Sequence, residues 1–243
     1  MNTSTCHTIE TRKNQLLSVL PDAEWHRWHQ HLELVDVPMG QVLCESGRAP
    51  AYVYFPTTAI VSLMCMMQDG ASSEVAVVGN DGVVGISLFM GGNATPSQAV
   101  VQSAGKVYRL RAQAVKIELD SPGPVLKMLL RYTQALIAQV AQTAACNRYH
   151  SIDQQLCRRL LLGLDRLPTD ELMMTQELAA NLLGVRREGV TAAALKLQLA
   201  GVIRYSRGHI VVLDRQRLEQ RACECYAVAK KEYDRLLQMP LAA

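Results

Sequence analysis

The chain has 243 residues, 49% of them apolar and 5% aromatic, and a net charge of +3. That describes a soluble globular protein with room for two domains, and its longest apolar runs are too short to cross a bilayer, which excludes a membrane-spanning helix. Seven cysteines are odd in number and scattered, with no secretory signal read before them, so reduced thiols in a cytoplasmic protein are expected rather than disulfides.

Residues up to about Lys13 are polar and aperiodic and read as a tail. Between Asn14 and His31, the residues Leu16, Leu17, Leu20, Trp25 and Trp28 mark one or two short helices, the second opened by Pro21. His26, His29 and His31 cluster there, but no cysteine pair or converging carboxylate completes a ligand set, so they read as surface histidines and no metal is assigned. From Glu33 to Leu119 the texture changes to short β-like runs separated by glycine turns, among them Leu34–Val37, Ala51–Phe55, Ala59–Met66, Glu74–Val78, Gln98–Gln102 and Lys106–Arg111. That spacing indicates an all-β sandwich or barrel.

Ser121-Pro122-Gly123-Pro124 breaks the pattern and opens a long helix reaching about Tyr149. Leu129, Thr133, Leu136, Val140, Thr143 and Asn147 keep the four-three spacing of a coiled-coil seam, with Leu130, Ile137, Ala141 and Ala144 beside it. No charge falls between Tyr132 and Asn147, so the helix is expected between its own β-domain and a twin helix of a second subunit. Arg148 to Ser151 reads as a hinge. Ile152–Leu167 is a further helix, whose Arg158, Arg159 and Arg166 suit either a solvated face or a nucleic-acid backbone.

Met174 to Leu213 carries the most specific pattern. Thr175 caps a short helix that Gly184 stops, and a second helix follows with Val190, Ala194, Leu195 and Leu199 expected inward. Val202–Val212 alternates around Ser206-Arg207-Gly208, a hairpin signal. Two helices joined by a tight glycine turn, with a basic hairpin beside them, read as a winged helix-turn-helix. Between Arg186 and Arg221 eight Lys or Arg stand against Glu188, Asp214 and Glu219, a local excess suited to phosphates. Asp214–Met239 reads as one last helix, packed on the winged domain or on a partner subunit. Cys223-Glu224-Cys225 reads as packing, because alternate helix residues diverge.

The Gly40 and Gly47 turns, the run Val84-Gly85-Ile86-Ser87-Leu88-Phe89 and the run Ser97–Val101, followed by the winged helix, resemble the Crp/Fnr superfamily of bacterial regulators from about Leu16 to Leu213. The resemblance implies an α+β protein. Its parts are an N-terminal β jelly-roll of the cyclic-nucleotide-binding type over 14–121, a dimerisation helix over 122–150, and a winged helix-turn-helix domain with a C-terminal helical extension over 151–243. It further implies a homodimer on palindromic double-stranded DNA, with RNA polymerase as an additional candidate partner. In nucleotide-binding members a Glu holds the ribose and an Arg pairs with the cyclic phosphate. Here Ile86 replaces the first, and Pro96 or Ser97 the second, so cyclic AMP is not expected to bind in the familiar way. The expected pocket, Gly85, Ile86, Ser97, Gln98 and Gln139, is left to an unknown small effector.

Arg187 and Glu188 match the pair that reads base edges in this family, whereas Ala192 stands where a second Arg is expected. Thr175, Gln176, Arg186, Thr191, Lys196, Arg207 and His209 are candidate phosphate contacts. Only Cys6 precedes Cys44, so an N-terminal iron–sulfur cluster is not expected, and no cofactor is assigned. No nucleophile elbow, Walker loop, dinucleotide fingerprint or zinc-protease motif occurs, so catalysis has no support. Two alternatives stand beside a DNA-binding regulator: a module responding to another cyclic nucleotide or small effector, and a scaffold using its β-domain for protein contacts.

Overall fold

The structure is a computed structural model and describes residues 13–119 and 123–237. The proposed tail, the residues before Lys13, lies outside the described part.

Two short helices open it, α1 (Gln15–Ser18) and α2 (Asp22–His29), with Pro21 as the residue before the second. Asn14 is fully buried: its side-chain oxygen accepts from the amides of Leu16 and Leu17, while its amide nitrogen donates to the Pro56 and Gly82 carbonyls. One side chain thus caps α1 and pins it to the β-domain.

Seven antiparallel strands follow: β1 (Glu33–Val37), β2 (Val42–Cys44), β3 (Tyr52–Pro56), β4 (Ile60–Met66), β5 (Ser72–Val78), β6 (Ser97–Ser103) and β7 (Gly105–Arg111). They form two sheets, ordered β1-β7-β3 and β2-β6-β4-β5, facing each other across a core of Val61, Val78, Ala99, Val101 and Val107. The segment 83–85 contributes only a bridge from Val84 to Tyr54 before a 3-10 turn at Ile86–Leu88. A helix not anticipated, α3 (Ala112–Leu119), closes the roll.

The long helix α4 runs Pro124–Tyr149. Its inner face carries Leu129, Tyr132 and Leu136 into a core shared with Trp25, Trp28, Phe55 and Leu110. Gly82 permits this approach, since a Cβ there would lie 2.6 Å from the Tyr132 hydroxyl. After His150, Ser151 caps α5 (Ile152–Leu164) in a reciprocal bond with Gln154.

The winged domain comprises α5, β8 (Glu171–Met173), α6 (Gln176–Leu183), α7 (Arg187–Leu199), β9 (Ile203–Ser206) and β10 (His209–Val212), with sheet order β8-β10-β9. Its core of Leu156, Leu160, Leu182, Val190 and Leu197 continues without a break into Ile60, Met64 and Val77 of the β-roll. Strand β5 is the free edge of its sheet and is covered by α4 and α6, with Arg159 of α5 reaching its Glu74.

Three differences from the sequence reading have physical causes. Arg158, Arg159 and Arg166 are buried rather than solvated or DNA-facing. Arg159 pairs with Glu74 on β5 at 2.6 Å, and Arg166 with Asp81 in the turn after it, also at 2.6 Å. Leu195 and Leu199 on α7 are exposed, while Leu197 turns inward. The single C-terminal helix is two, α8 (Arg215–Arg221) and α9 (Glu224–Leu237), broken at Ala222-Cys223. Helix α9 leaves the winged domain and lies along α4, where Tyr233 and Leu236 join the core that holds Leu129.

Candidate functional site

The exposed surface of the winged domain is assembled from three chain segments. Thr175 caps α6 through its hydroxyl, and the Gly184 carbonyl end takes a left-handed conformation (φ 65°) that turns the chain into α7. Arg186 precedes α7, and Arg187, Glu188 and Thr191 project from its first turns, all exposed. The Thr191 hydroxyl donates to Gln176 Oε1 at 2.8 Å, tying the start of α7 to the start of α6. At the wing, Met174 N donates to the Gly208 carbonyl at 2.7 Å, and a Cβ on Gly208 would lie 3.2 Å from the Thr175 methyl. The tip residue Arg207 (φ 49°) is exposed beside them. Tyr205 on β9 sits against the Gln176 backbone and within electrostatic reach of Arg187. The sequence reading did not single out Tyr205, although its place in an alternating wing strand was visible.

Two expected phosphate contacts are otherwise engaged. Lys196 lies 2.8 Å from Asp153 of α5, and His209 Nδ1 lies 2.6 Å from Glu171 on the neighbouring strand. Thr175, Gln176, Arg186, Arg187, Glu188, Thr191 and Arg207 are therefore brought together, and Lys196 and His209 are turned toward carboxylates.

The second candidate site is a cavity of about 280 Å³ inside the β-roll. Gly85, Ile86 and Ser97 line it, together with Cys44, Leu63 and Met90. None of its lining residues is charged. The Ser97 hydroxyl is within 2.7 Å of the Thr95 hydroxyl, whereas the buried Ser87 hydroxyl finds no partner. Burial pushes the Cys44 thiol up to about 11.

Gln98 and Gln139 are absent from this lining, which corrects their placement as pocket residues. Gln98 donates outward to Glu45 at 2.9 Å. Gln139, almost fully buried, accepts from the Val77 amide of edge strand β5 at 2.6 Å and donates to the Tyr233 hydroxyl at 3.1 Å. The edge amide needs a partner that the sheet does not supply, so Gln139 serves the fold rather than a ligand.

The expected seam on α4 also divides. Leu129, Thr133, Leu136 and Thr143 are buried against the protein's own domains, leaving only Val140 and Asn147 exposed. The apolar face that points out is the adjacent one, with Leu130, Ile137, Ala141 and Ala144.

A β-roll enclosing a small-molecule-sized cavity, joined by a long helix to a winged helix-turn-helix with an exposed basic face, is the architecture of a DNA-binding transcription regulator. Comparison with known proteins agrees. Residues 34–121 match the cyclic nucleotide-binding domain model and residues 154–221 the Crp-like helix-turn-helix domain model, together well over half of the chain. The chain belongs to the Crp/Fnr superfamily of transcription regulators, whose members found here are regulators and not enzymes. It is 24% identical over 201 residues to the CRP-like cAMP-activated global transcriptional regulator of Mycobacterium tuberculosis, covering 79% of this chain and 89% of that one. Its fold is shared with FixK2 of Bradyrhizobium japonicum (TM-score 0.68, 18% identity, 79% of this chain and 98% of that one). A Crp/Fnr-family protein of Eubacterium rectale is similar too (TM-score 0.67, 19% identity, 86% and 98%). Among the described residues no helix is long and apolar enough to cross a membrane.

Proposed function

We propose that this protein is a homodimeric regulator that reads a palindromic DNA site through α7 and responds to an uncharged, largely apolar effector in the β-roll. The carrying observation is the continuous exposed surface formed by the starts of α6 and α7 and the wing. Arg187 and Glu188 project from the first turn of α7, the part of a recognition helix that meets base edges, where Arg bonds guanine and Glu accepts from cytosine. Thr175, Gln176, Arg186, Thr191 and Arg207 flank them as phosphate contacts. Lys196 and His209 are left out of this set because their charges face Asp153 and Glu171.

The dimer seam is assigned to the outward face of α4. Leu130, Gln134, Ile137, Ala141 and Ala144 repeat at four-three spacing, and Ile137 is 60% exposed. An uncharged stripe of this length, apolar except for Gln134, is what a twin helix covers in a parallel pair. A two-fold axis there presents two α7 helices to half-sites about 34 Å apart. RNA polymerase is retained as a further candidate partner.

The effector reading rests on the uncharged cavity. A cyclic phosphate placed there would meet no cation, and a buried anion without a charge-assisted bond is strongly disfavoured. An uncharged molecule with one polar group fits better, the Ser87 hydroxyl being the free hydrogen-bonding atom.

Selection of bound sequences from randomised duplexes, followed by a gel shift with the recovered site, tests the DNA reading. A palindrome that holds the protein against excess competitor DNA is expected, and binding erased equally by any duplex contradicts it. Calorimetric titration with cyclic AMP, cyclic GMP and cyclic di-GMP tests the pocket. No binding heat is expected, and micromolar binding of cyclic AMP that is abolished at Ser97 contradicts the assignment.

A further inference from the structure

The hinge between α4 and the winged domain holds a cluster that the regulator reading does not use. Cys146 and His150 are four apart at the end of α4 and so share one face. Cys223 lies in the break between α8 and α9, and Cys225 in the first turn of α9. Because Cys223 is outside the helix, the divergence expected of alternate helix residues does not apply, and both thiols turn toward α4. The Cys146 and Cys223 sulfurs are 3.5 Å apart, and the Cys225 sulfur is 3.6 Å from His150 Nδ1. One ligand atom from each of the four residues lies within 4.8 Å of all the others.

We propose that Cys146, His150, Cys223 and Cys225 form a closed tetrahedral site for one thiolate-preferring divalent ion of the zinc class. With metal–sulfur bonds of about 2.3 Å and metal–nitrogen bonds of about 2.0–2.1 Å, tetrahedral geometry sets sulfur–sulfur separations near ~3.8 Å and sulfur–nitrogen separations near ~3.5 Å. The observed 3.5 and 3.6 Å fit one ion between the four groups. An iron–sulfur cluster needs its ligands spread more widely. All three cysteines are buried and no ligand position is left over, the mark of a structural rather than a catalytic site.

Two features around the cluster belong to a metal site and are otherwise unexplained. His150 Nε2, the nitrogen turned away from the thiols, lies 3.3 Å from Glu224, the carboxylate arrangement that orients a metal-bound imidazole. Arg158 is only 3% exposed, its terminal nitrogens reach just the Thr143 hydroxyl at 3.3 Å, and its Nε is unpartnered. No carboxylate among the described residues pairs with it, and it acts electrostatically on Cys146. A buried cation without a counter-charge is costly. Three thiolates and a neutral imidazole around a divalent ion leave a net charge of about −1, which supplies that counter-charge.

Position gives the ion its role. It fastens the end of α4 to the start of α9 at the point where the chain turns into the winged domain, and so fixes the angle between sensor and DNA-binding parts. The test uses the tag-free full-length chain purified under reducing conditions, with metal content read by mass spectrometry and Co2+ as a spectroscopic probe. One ion per chain is expected, with sulfur-to-cobalt charge-transfer and intense tetrahedral visible bands after Co2+ exchange. Cys225→Ser and His150→Ala lose the ion, His150→Cys retains it, and Cys65→Ser, on remote strand β4, retains it. Folded, reduced protein that neither carries an ion nor takes up equimolar Zn2+ or Co2+ overturns the proposal. So does an ion that persists when Cys225 and His150 are both replaced, or a chain isolated as a Cys146–Cys223 disulfide that binds no metal once reduced.

Discussion

The Arg166 guanidinium, in the turn that follows α5, lies 2.6 Å from the Asp81 carboxylate in the turn after β5, with the Arg166 side chain 4% exposed. Gly79 makes the approach possible, since a Cβ there would lie 2.6 Å from Arg166 Cβ. Arg159 and Glu74 repeat the arrangement on β5 itself, and the Ser62 hydroxyl of β4 also donates to Glu74. Two ion pairs thus hold the DNA-binding part against the β-roll. Removing one partner strands the other charge in the interior. Asp81→Ala or Glu74→Ala is expected to destabilise the protein by about 3–5 kcal/mol in urea unfolding. A loss below about 1 kcal/mol, the range of an exposed pair, would show that the pairs are solvated.

On α4 the two apolar faces give opposite expectations. Ile137→Glu places a charge on the outward stripe and is expected to yield folded monomers in sedimentation, with DNA affinity reduced. Leu129→Ala leaves the dimer intact but destabilises each chain by about 2–5 kcal/mol, as truncation of a buried leucine does. If Leu129→Ala dissociated the dimer and Ile137→Glu did not, the seam would be the inner face after all.

Gln139 supplies a third expectation. Gln139→Ala leaves the Val77 amide on edge strand β5 without a partner, at a cost of about 1–3 kcal/mol. Affinity for any effector of the β-roll should not change, because the side chain does not reach the cavity. A stable variant with altered effector binding would reverse this assignment.

Cys44 gives a pH dependence. Burial raises its thiol from 9.0 to about 11 in the folded chain, so the unfolded chain releases the proton first. Its contribution is whole at neutral pH and is lost as pH rises from 9 toward 11, at about 1.4 kcal/mol per pH unit at most. The stability difference between the wild type and Cys44→Ala should therefore shrink or reverse over that window. A difference that is constant with pH would mean that the thiol is exposed.

The β-roll and the winged helix were legible in the sequence for local reasons. Alternation and glycine turns mark β3 to β7, and the Thr175 cap, the Gly184 stop and the Ser206-Arg207-Gly208 turn mark the winged domain. The facing of α4 was not legible. An uncharged helix carries two interleaved four-three sets, Leu129 with Leu136 and Leu130 with Ile137, and only docking against the β-roll decides between them. Arg158, Arg159 and Arg166 looked like surface residues because Glu74 and Asp81 are distant in sequence. The cysteine cluster was hidden by the break at Ala222-Cys223, although the pairing of Cys146 with His150 four residues on was there to be read.

The central claim is that the start of α7 chooses the DNA sequence. It is tested most directly by measuring the affinity of the wild type and Arg187→Ala for the selected palindrome and for a scrambled duplex at one salt concentration. The variant is expected to lose about 1–3 kcal/mol per cognate base contact on the palindrome while nearly matching the wild type on the scrambled duplex, so that the specificity ratio falls. An unchanged ratio, with both affinities lowered together or not at all, would contradict the assignment of Arg187 to base reading.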